Sequence, residues 1–95
     1  MIELKPGRPK FQLGGTYSTP GAMAALTAEE MQRFMSRHHR GDWGDLDEED
    51  KQANDQALIH GSRLLSAYHS ANGTKIWIIT EADRSVTTIL LPSEY

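Results

Sequence analysis

The sequence contains no cysteine, which excludes disulfide bonds, iron–sulfur clusters, thiolate zinc sites and cysteine nucleophiles. It also has no long hydrophobic run, because its apolar stretches are far shorter than the roughly 20 residues that cross a bilayer. The start of the chain, residues 1–10, has no apolar segment of the kind found in a signal peptide. We therefore expect a cytoplasmic protein that does not associate with a membrane.

Charge is distributed unevenly along the 95 residues. The formal balance is +3 over residues 1–40, −6 over residues 41–60 and zero over residues 61–95. An acidic body of this kind disfavours general nucleic-acid binding. Length and a hydrophobic fraction of 38% indicate one folded domain over residues 11–95, preceded by a flexible tail over residues 1–10.

Capping patterns predict the first two helices. Thr19 precedes a proline, which suits the first position of a short helix. Thr27 opens a second helix as a capping box with Glu30, three residues later. Apolar residues then recur at the spacing of one helical face, and Gly41 is a natural terminator. The stripe consists of Met31, Phe34, Met35 and His38, and it predicts a partly buried His38 at the edge of the core.

A third helix is predicted after Asp45, with Glu48 at the reciprocal position of the cap. Acidic residues then occupy the first turn, where the helix dipole favours them. The helix is expected to run to about His60 and to stop at Gly61.

The last third of the chain predicts a three-stranded antiparallel meander. Its strands are expected at residues 64–70, 75–80 and 86–91, and residues 11–17 supply a further N-terminal strand. With two or three helices packed on one face of the sheet, the fold class is α+β.

Asn72-Gly73 predicts a two-residue hairpin turn between the first two strands of the meander. That register places Tyr68 opposite Trp77, on the same face of the sheet. Both faces of the sheet are then apolar, whereas a sheet with helices on one side usually has one wet face. We expect the tail, a returning loop or another protein molecule to cover the other face, and in the last case we expect a homodimer.

The sequence offers no catalytic, cofactor-binding or metal-binding set of residues. His38 and His39 are neighbours on a helix and point about 100° apart, so they do not grip one ion together. Counted as a calcium loop from Asp45, the sixth residue is Asp50 and the twelfth is Gln56, so the glycine and glutamate of an EF-hand are missing. Neither a nucleophile elbow nor a glycine-rich phosphate loop is present. We therefore expect no enzyme activity and no cofactor.

The stretch Pro6-Gly7-Arg8-Pro9-Lys10 is similar to part of an AT-hook, the short basic segment that enters the DNA minor groove. That motif centres on Arg-Gly-Arg-Pro, and here Pro6 stands in place of the first arginine. One arginine is a poor anchor in the groove. Weak nucleic-acid binding through this basic tail is therefore an alternative function, and nucleic acid is not the expected partner.

The acidic run carries the predicted partner-binding surface. Six acidic side chains in the nine residues 42–50 repel one another, so a cap or a partner should use them. Asp45 and Glu48 are assigned to capping, which leaves the others available to a basic surface on a larger protein. The predicted partner-binding residues are Asp42, Trp43, Asp47, Glu49 and Asp50.

Five stretches of the chain are distinctive together: TPGA at residues 19–22, GDWGDL at 41–46, GSRLLSAY at 61–68, TEADRS at 80–85 and LP at 91–92. They resemble a family of short proteins from bacterial plasmids and integrative elements, usually labelled plasmid-related or hypothetical, and the resemblance covers nearly everything after residue 10. It implies that the protein is cargo of a mobile element and transfers no catalytic residue. Together these observations predict a non-enzymatic protein-binding module, as in inhibitors of restriction or CRISPR complexes. The alternative is a self-associating structural or regulatory protein.

Overall fold

A four-stranded mixed sheet and three helices make up the α+β fold of the computed structural model, which describes residues 8–95. In chain order the elements are β1 (Gly15–Ser18), α1 (Pro20–Ala25), α2 (Ala28–His39), α3 (Glu48–His60), β2 (Leu64–His69), β3 (Lys75–Thr80), β4 (Val86–Leu90) and a 3₁₀ turn (Pro92–Glu94). The sheet order is β1-β4-β3-β2. The predicted α+β class and the meander of β2, β3 and β4 are confirmed, whereas β1 pairs in parallel with β4 and makes the sheet mixed. Residues 1–7 of the predicted tail lie outside the described residues.

The N-terminal strand is shorter than the predicted span of residues 11–17. It begins only at Gly15, because Gly14 takes a left-handed backbone conformation with φ +66°. Before this turn, Phe11 packs against the ring of His38, with ring centroids 5.1 Å apart. Within the predicted tail, the Lys10 N–H donates to the carbonyl of His39 at 2.9 Å.

The predicted caps of the first two helices are confirmed. The Thr19 hydroxyl accepts from the Ala22 N–H at 3.2 Å, and the Thr27 hydroxyl accepts from the Glu30 N–H at 3.0 Å. Glu30 completes the capping box by accepting from the Thr27 N–H at 3.0 Å. These caps direct α1 and α2 across the sheet, where Ala22 and Phe34 join the main core cluster.

The predicted register of the β2–β3 hairpin is wrong by one residue. Tyr68 pairs with Ile76, so Tyr68 and Trp77 lie on opposite faces of the sheet. The turn contains three residues between Ser70 and Thr74 instead of two, and the last of them, Gly73, has φ +87°. Such three-residue loops combine a type I turn with a left-handed residue.

Glu30 explains why the longer turn forms. Its second carboxylate oxygen accepts from the Ala71 N–H at 2.8 Å, so the capping residue of α2 also holds the hairpin loop. This contact uses a main-chain group that a two-residue turn would place in the strand ladder. The hydrogen bonds from Thr27 and Ala71 hold the pKa of Glu30 below its usual range.

With the observed register of β2 and β3, one face of the sheet is fully buried and the other face is only partly covered. The face beneath α1 and α2 carries eight residues that are at most 3% exposed. They are Leu64, Ser66, Tyr68, Ile76, Ile78, Thr80, Thr87 and Ile89. On the opposite face the chain returns through its C-terminal turn, and Tyr95 contacts Trp77 with ring centroids 5.8 Å apart. A returning segment thus covers part of the second face, which was one of the three expectations.

Candidate functional site

The segment that follows α2 is held to the body of the protein by Asp42. Its carboxylate accepts two hydrogen bonds from Arg37, at 2.7 Å from Nε and 3.2 Å from Nη2. This pairing lowers the pKa of Asp42. The same guanidinium lies 4.7 Å from the ring centroid of Tyr68, whose hydroxyl donates to the Asp42 carbonyl at 2.5 Å. Asp42 is therefore already occupied within the fold.

Trp43 lies inside the protein, with only 4% of its surface exposed. Its indole N–H donates to Asp55 in α3 at 3.0 Å, and its ring stacks against Phe11 at 6.2 Å. Trp43 also forms a small core cluster with Ala57 and Leu64. Trp43 was predicted to belong to the partner-binding surface, and this prediction is corrected: its indole packs between α3 and the sheet and is not exposed to a partner.

The predicted cap of the third helix is also wrong. Asp47, rather than Asp45, accepts from the Asp50 N–H at 2.8 Å, so α3 begins two residues later than that cap implied. Asp45 is unavailable because its own N–H donates to the Ala67 carbonyl at 2.7 Å, in a bridge that runs along β2. Its carboxylate contacts the His69 ring at 2.8 Å. Asp47 thus has the capping role that the spacing of Asp45 and Glu48 assigned to Asp45.

Glu48, Glu49 and Asp50 are exposed around the first turn of α3, and Asp55 is exposed farther along the helix, where it also accepts from the Trp43 indole N–H. We call these four residues the α3 acidic face. The ion pairs within residues 8–95 join Arg37 with Asp42, Arg63 with Glu81, and His69 with Asp45. None of these pairs involves the α3 acidic face.

The inner side of α3 is fixed to the sheet edge by Asn54. Its side-chain nitrogen donates to the Leu65 carbonyl at 2.6 Å, and its oxygen accepts from the Leu65 N–H at 3.1 Å. The amide thus replaces a neighbouring strand at this position. A shallow groove of about 410 Å³ runs along the outer side of the helix, between Glu49 and Asp55. The acidic face is therefore presented on a firmly attached helix.

The burial of His38 is greater than predicted: the residue is 0% exposed rather than partly buried. Its ring contacts two hydroxyls, Ser66 at Nδ1 (2.5 Å) and Thr80 at Nε2 (2.8 Å). Thr80 contacts Thr87 at 2.7 Å, and Thr87 donates to the Leu13 carbonyl at 2.7 Å. These contacts form one continuous chain through the core.

The end of this chain fixes the direction of every hydrogen bond in it. Because Thr87 donates its proton to a carbonyl, the proton between the two threonines belongs to Thr80. The His38 ring must then carry its proton on Nε2 and donate it to Thr80, while Nδ1 accepts from Ser66. Burial lowers the pKa of His38 to about 3, with smaller contributions from His39 and Arg84.

The buried network was hidden from sequence reasoning because its members are far apart in the chain. The contact between His38 and Ser66 spans 28 residues and that between His38 and Thr80 spans 42. The one local signal was the position of His38 on the apolar stripe of α2. A histidine on such a face needs polar partners from the opposing layer, and β-strand hydroxyls at buried positions supply them.

Over residues 8–95, no cluster of three or more histidine, aspartate or glutamate side chains is arranged to hold a metal ion. In the same part of the chain, every helix is too short or too polar to span a bilayer. Comparison of the chain with protein-family models, curated proteins and solved structures finds no match.

Proposed function

We propose that the protein is a non-enzymatic binding module that attaches to a basic surface of a larger protein through the α3 acidic face. The observation that carries this proposal is the exposure of Glu48, Glu49 and Asp50 on a helix whose inner side is pinned by Asn54. Like charges in one helical turn repel one another, and a cationic partner relieves this repulsion. Contacts of this kind accelerate association and weaken with salt.

The buried histidine supports a binding role over a catalytic one. The contact between Ser66 and His38 is the arrangement nearest to a nucleophile with its base, yet both side chains are 0% exposed. A substrate would have to enter the core to reach them. We therefore assign this pair to stability rather than to chemistry.

The resemblance to proteins of plasmids and integrative elements suggests what the partner is. A mobile element benefits from blocking host defence, and restriction and CRISPR complexes bind nucleic acid in basic grooves. We propose that the acidic face competes with nucleic acid for such a groove, which makes the protein an inhibitor of host defence that acts in the cytoplasm.

A competition assay with purified restriction and CRISPR effector complexes tests this function. Wild-type protein should displace a fluorescent duplex from at least one complex, measured by anisotropy. The triple variant Glu48→Gln, Glu49→Gln, Asp50→Asn keeps the Asp47 cap and should be about tenfold weaker, since three exposed charge contacts contribute roughly 1.5 kcal/mol together. The single variant Glu49→Gln should also bind more weakly than the wild type. Its matched control is Glu29→Gln, in the exposed first turn of α2, which should bind as the wild type does.

The outcomes separate the two parts of the proposal. Equal displacement by the triple variant and the wild type, with the same salt dependence, would show that the acidic face is not the contact surface. Failure of the wild-type protein to displace the duplex from any complex would contradict the role in host defence. Circular dichroism of each variant checks that the fold is retained.

A further inference from the structure

The two edge strands of the sheet, β1 and β2, differ in whether their outward main-chain groups have hydrogen-bond partners. At the β2 edge, Ala67 bonds through its N–H to the Trp43 carbonyl (3.2 Å) and through its carbonyl to the Asp45 N–H (2.7 Å). Leu65 is satisfied by the Asn54 side chain. The outward main-chain groups of Leu65 and Ala67 are therefore paired, which hinders the addition of a further strand there.

The β1 edge has no such cover within the described residues. The Gly15 N–H donates to the Ser85 carbonyl, just before β4, at 2.9 Å, and the Thr19 N–H donates to the Ile89 carbonyl in β4 at 3.0 Å. Because main-chain groups alternate in direction along a strand, the N–H and C=O groups of Thr16 and Ser18 point away from the sheet. Four main-chain polar groups are thus presented in a row at the side of the molecule.

The side chains of β1 and of the groove beside it are uncharged. The strand itself is Gly-Thr-Tyr-Ser, without the lysine or proline that commonly protects an edge. Beside it, a groove of about 230 Å³ separates β1 from α2 and is lined by Met31, Gln32 and Met35. Tyr17, on the other face of the sheet, is 60% exposed. The edge therefore combines free main-chain groups with apolar surface.

The charge of the molecule is concentrated at the opposite edge. Residues 41–60, with a balance of −6, pack along β2, three strands away from β1 in the sheet order. At about 4.8 Å for each strand spacing, β1 and β2 are roughly 14 Å apart. Two molecules that meet at β1 would keep their acidic segments at the far ends of the combined sheet, so like-charge repulsion between them is small.

We propose that a second copy of this chain adds to the β1 edge, giving a two-fold symmetric dimer with a continuous eight-stranded sheet. In an antiparallel register centred on Tyr17, Thr16 of one copy pairs with Ser18 of the other. The two symmetric pairs satisfy all four outward groups on each copy through four hydrogen bonds. Because the same patch serves both copies, the contact closes without leaving a free β1 edge.

This register also brings the apolar surfaces together. Tyr17 of each copy lies directly opposite its counterpart in a pair without main-chain hydrogen bonds, where side chains approach most closely. On the other face, Met31 and Met35 of both copies flank the new strand pair. The proposed dimer interface shares no residue with the α3 acidic face. A result that contradicts the dimer therefore leaves the proposed function standing, and a result that contradicts the proposed function leaves the dimer standing.

Cysteine cross-linking tests the dimer, because the chain has no other cysteine. A Tyr17→Cys variant places two thiols across the two-fold axis, within reach of a disulfide. We expect rapid formation of a covalent dimer at micromolar concentration under mild oxidation. The matched control is Ile59→Cys, at a residue that is 73% exposed on α3 and distant from the proposed axis, and it should cross-link at least tenfold more slowly.

Sedimentation equilibrium supplies the second measurement. The wild-type chain should sediment at about 21 kDa, twice the 10.6 kDa chain mass. Tyr17→Lys places two like charges opposite each other and should sediment as a monomer, whereas Ile59→Lys should remain dimeric. A wild-type chain that stays monomeric at roughly 200 μM, or equal cross-linking of the two cysteine variants, would overturn the proposal and leave the edge to another protein.

Discussion

Acidification should destabilise the protein through His38, because its buried ring stays neutral in the folded state. Burial lowers the pKa of His38 from 6.5 to about 3. Between these values the unfolded chain binds a proton that the folded chain does not, so the free energy of unfolding falls as the pH falls. Below pH 6.5 the slope is about 1.4 kcal/mol per pH unit, and lowering the pH from 7.5 to 4.5 should remove about 2.7 kcal/mol.

The window between pH 7.5 and 4.5 limits the contribution of the carboxylates to this effect. Hydrogen bonds lower the pKa of Glu30, Asp42, Asp83 and Glu94 from ordinary values of 4.5 and 3.8. Stabilisation from groups of this kind is present above their unfolded pKa and is lost mainly as the pH falls below it. Most of the change expected above pH 4.5 is therefore assigned to His38.

Urea unfolding at a series of pH values measures this slope. His38→Gln should be less stable at pH 7.5 but should lose the dependence on pH, and His69→Gln, at an exposed histidine, should keep it. Nitrogen-detected NMR should show the Nε2–H tautomer of His38 persisting to about pH 4. An unchanged slope in His38→Gln, or titration of the His38 ring near pH 6.5, would refute the assignment.

Two further substitutions test how the segment before α3 and the helix itself are attached to β2. Gly44→Ala should destabilise by about 3 kcal/mol or more, because Gly44 has φ +77° and an added Cβ would overlap the Ala67 carbonyl oxygen. Gly73→Ala has a similar φ of +87° with open space around it and should lose only about 1 kcal/mol, so equal losses in urea unfolding would contradict the overlap. Asn54→Ala should lose about 2 kcal/mol by leaving both Leu65 main-chain groups unpaired. The exposed control Gln56→Ala should stay within about 0.5 kcal/mol, and a similar small loss for Asn54→Ala would show that water replaces the amide.

Local chemistry predicted the starts of α1 and α2 and the end of α3, because each cap acts over only a few residues. Thr27 and Glu30 form a reciprocal pair in sequence and in structure, and Gly61 ends α3 with φ +74°. The meander was equally accessible, since β-prone runs separated by turn residues carry their own signal. The fold class could therefore be predicted without any tertiary information.

The hairpin register could not be predicted, because a residue outside the hairpin decides it. Asn72-Gly73 is compatible with turns of two or three residues, and the two alternatives differ in which face each side chain occupies. Glu30 favours the longer turn by accepting from the Ala71 N–H, across a separation of 41 residues. A one-residue difference in the turn moved Trp77 to the face opposite Tyr68.

The same limit applies to the acidic run, where charge density alone does not distinguish structural carboxylates from free ones. Asp42 is bound by Arg37, Asp45 lies against β2, and Asp47 caps α3. Tertiary packing places Asp45 against β2, and the start of α3, two residues later than predicted, gives the capping role to Asp47. All six carboxylates of the run are exposed, but within residues 8–95 the side chains of Glu48, Glu49 and Asp50 make none of the ion pairs or hydrogen bonds that hold the other three. The repulsion expected along residues 42–50 is thus divided by the fold between carboxylates that have an ion-pair or capping role and carboxylates that are left to solvent or to a partner.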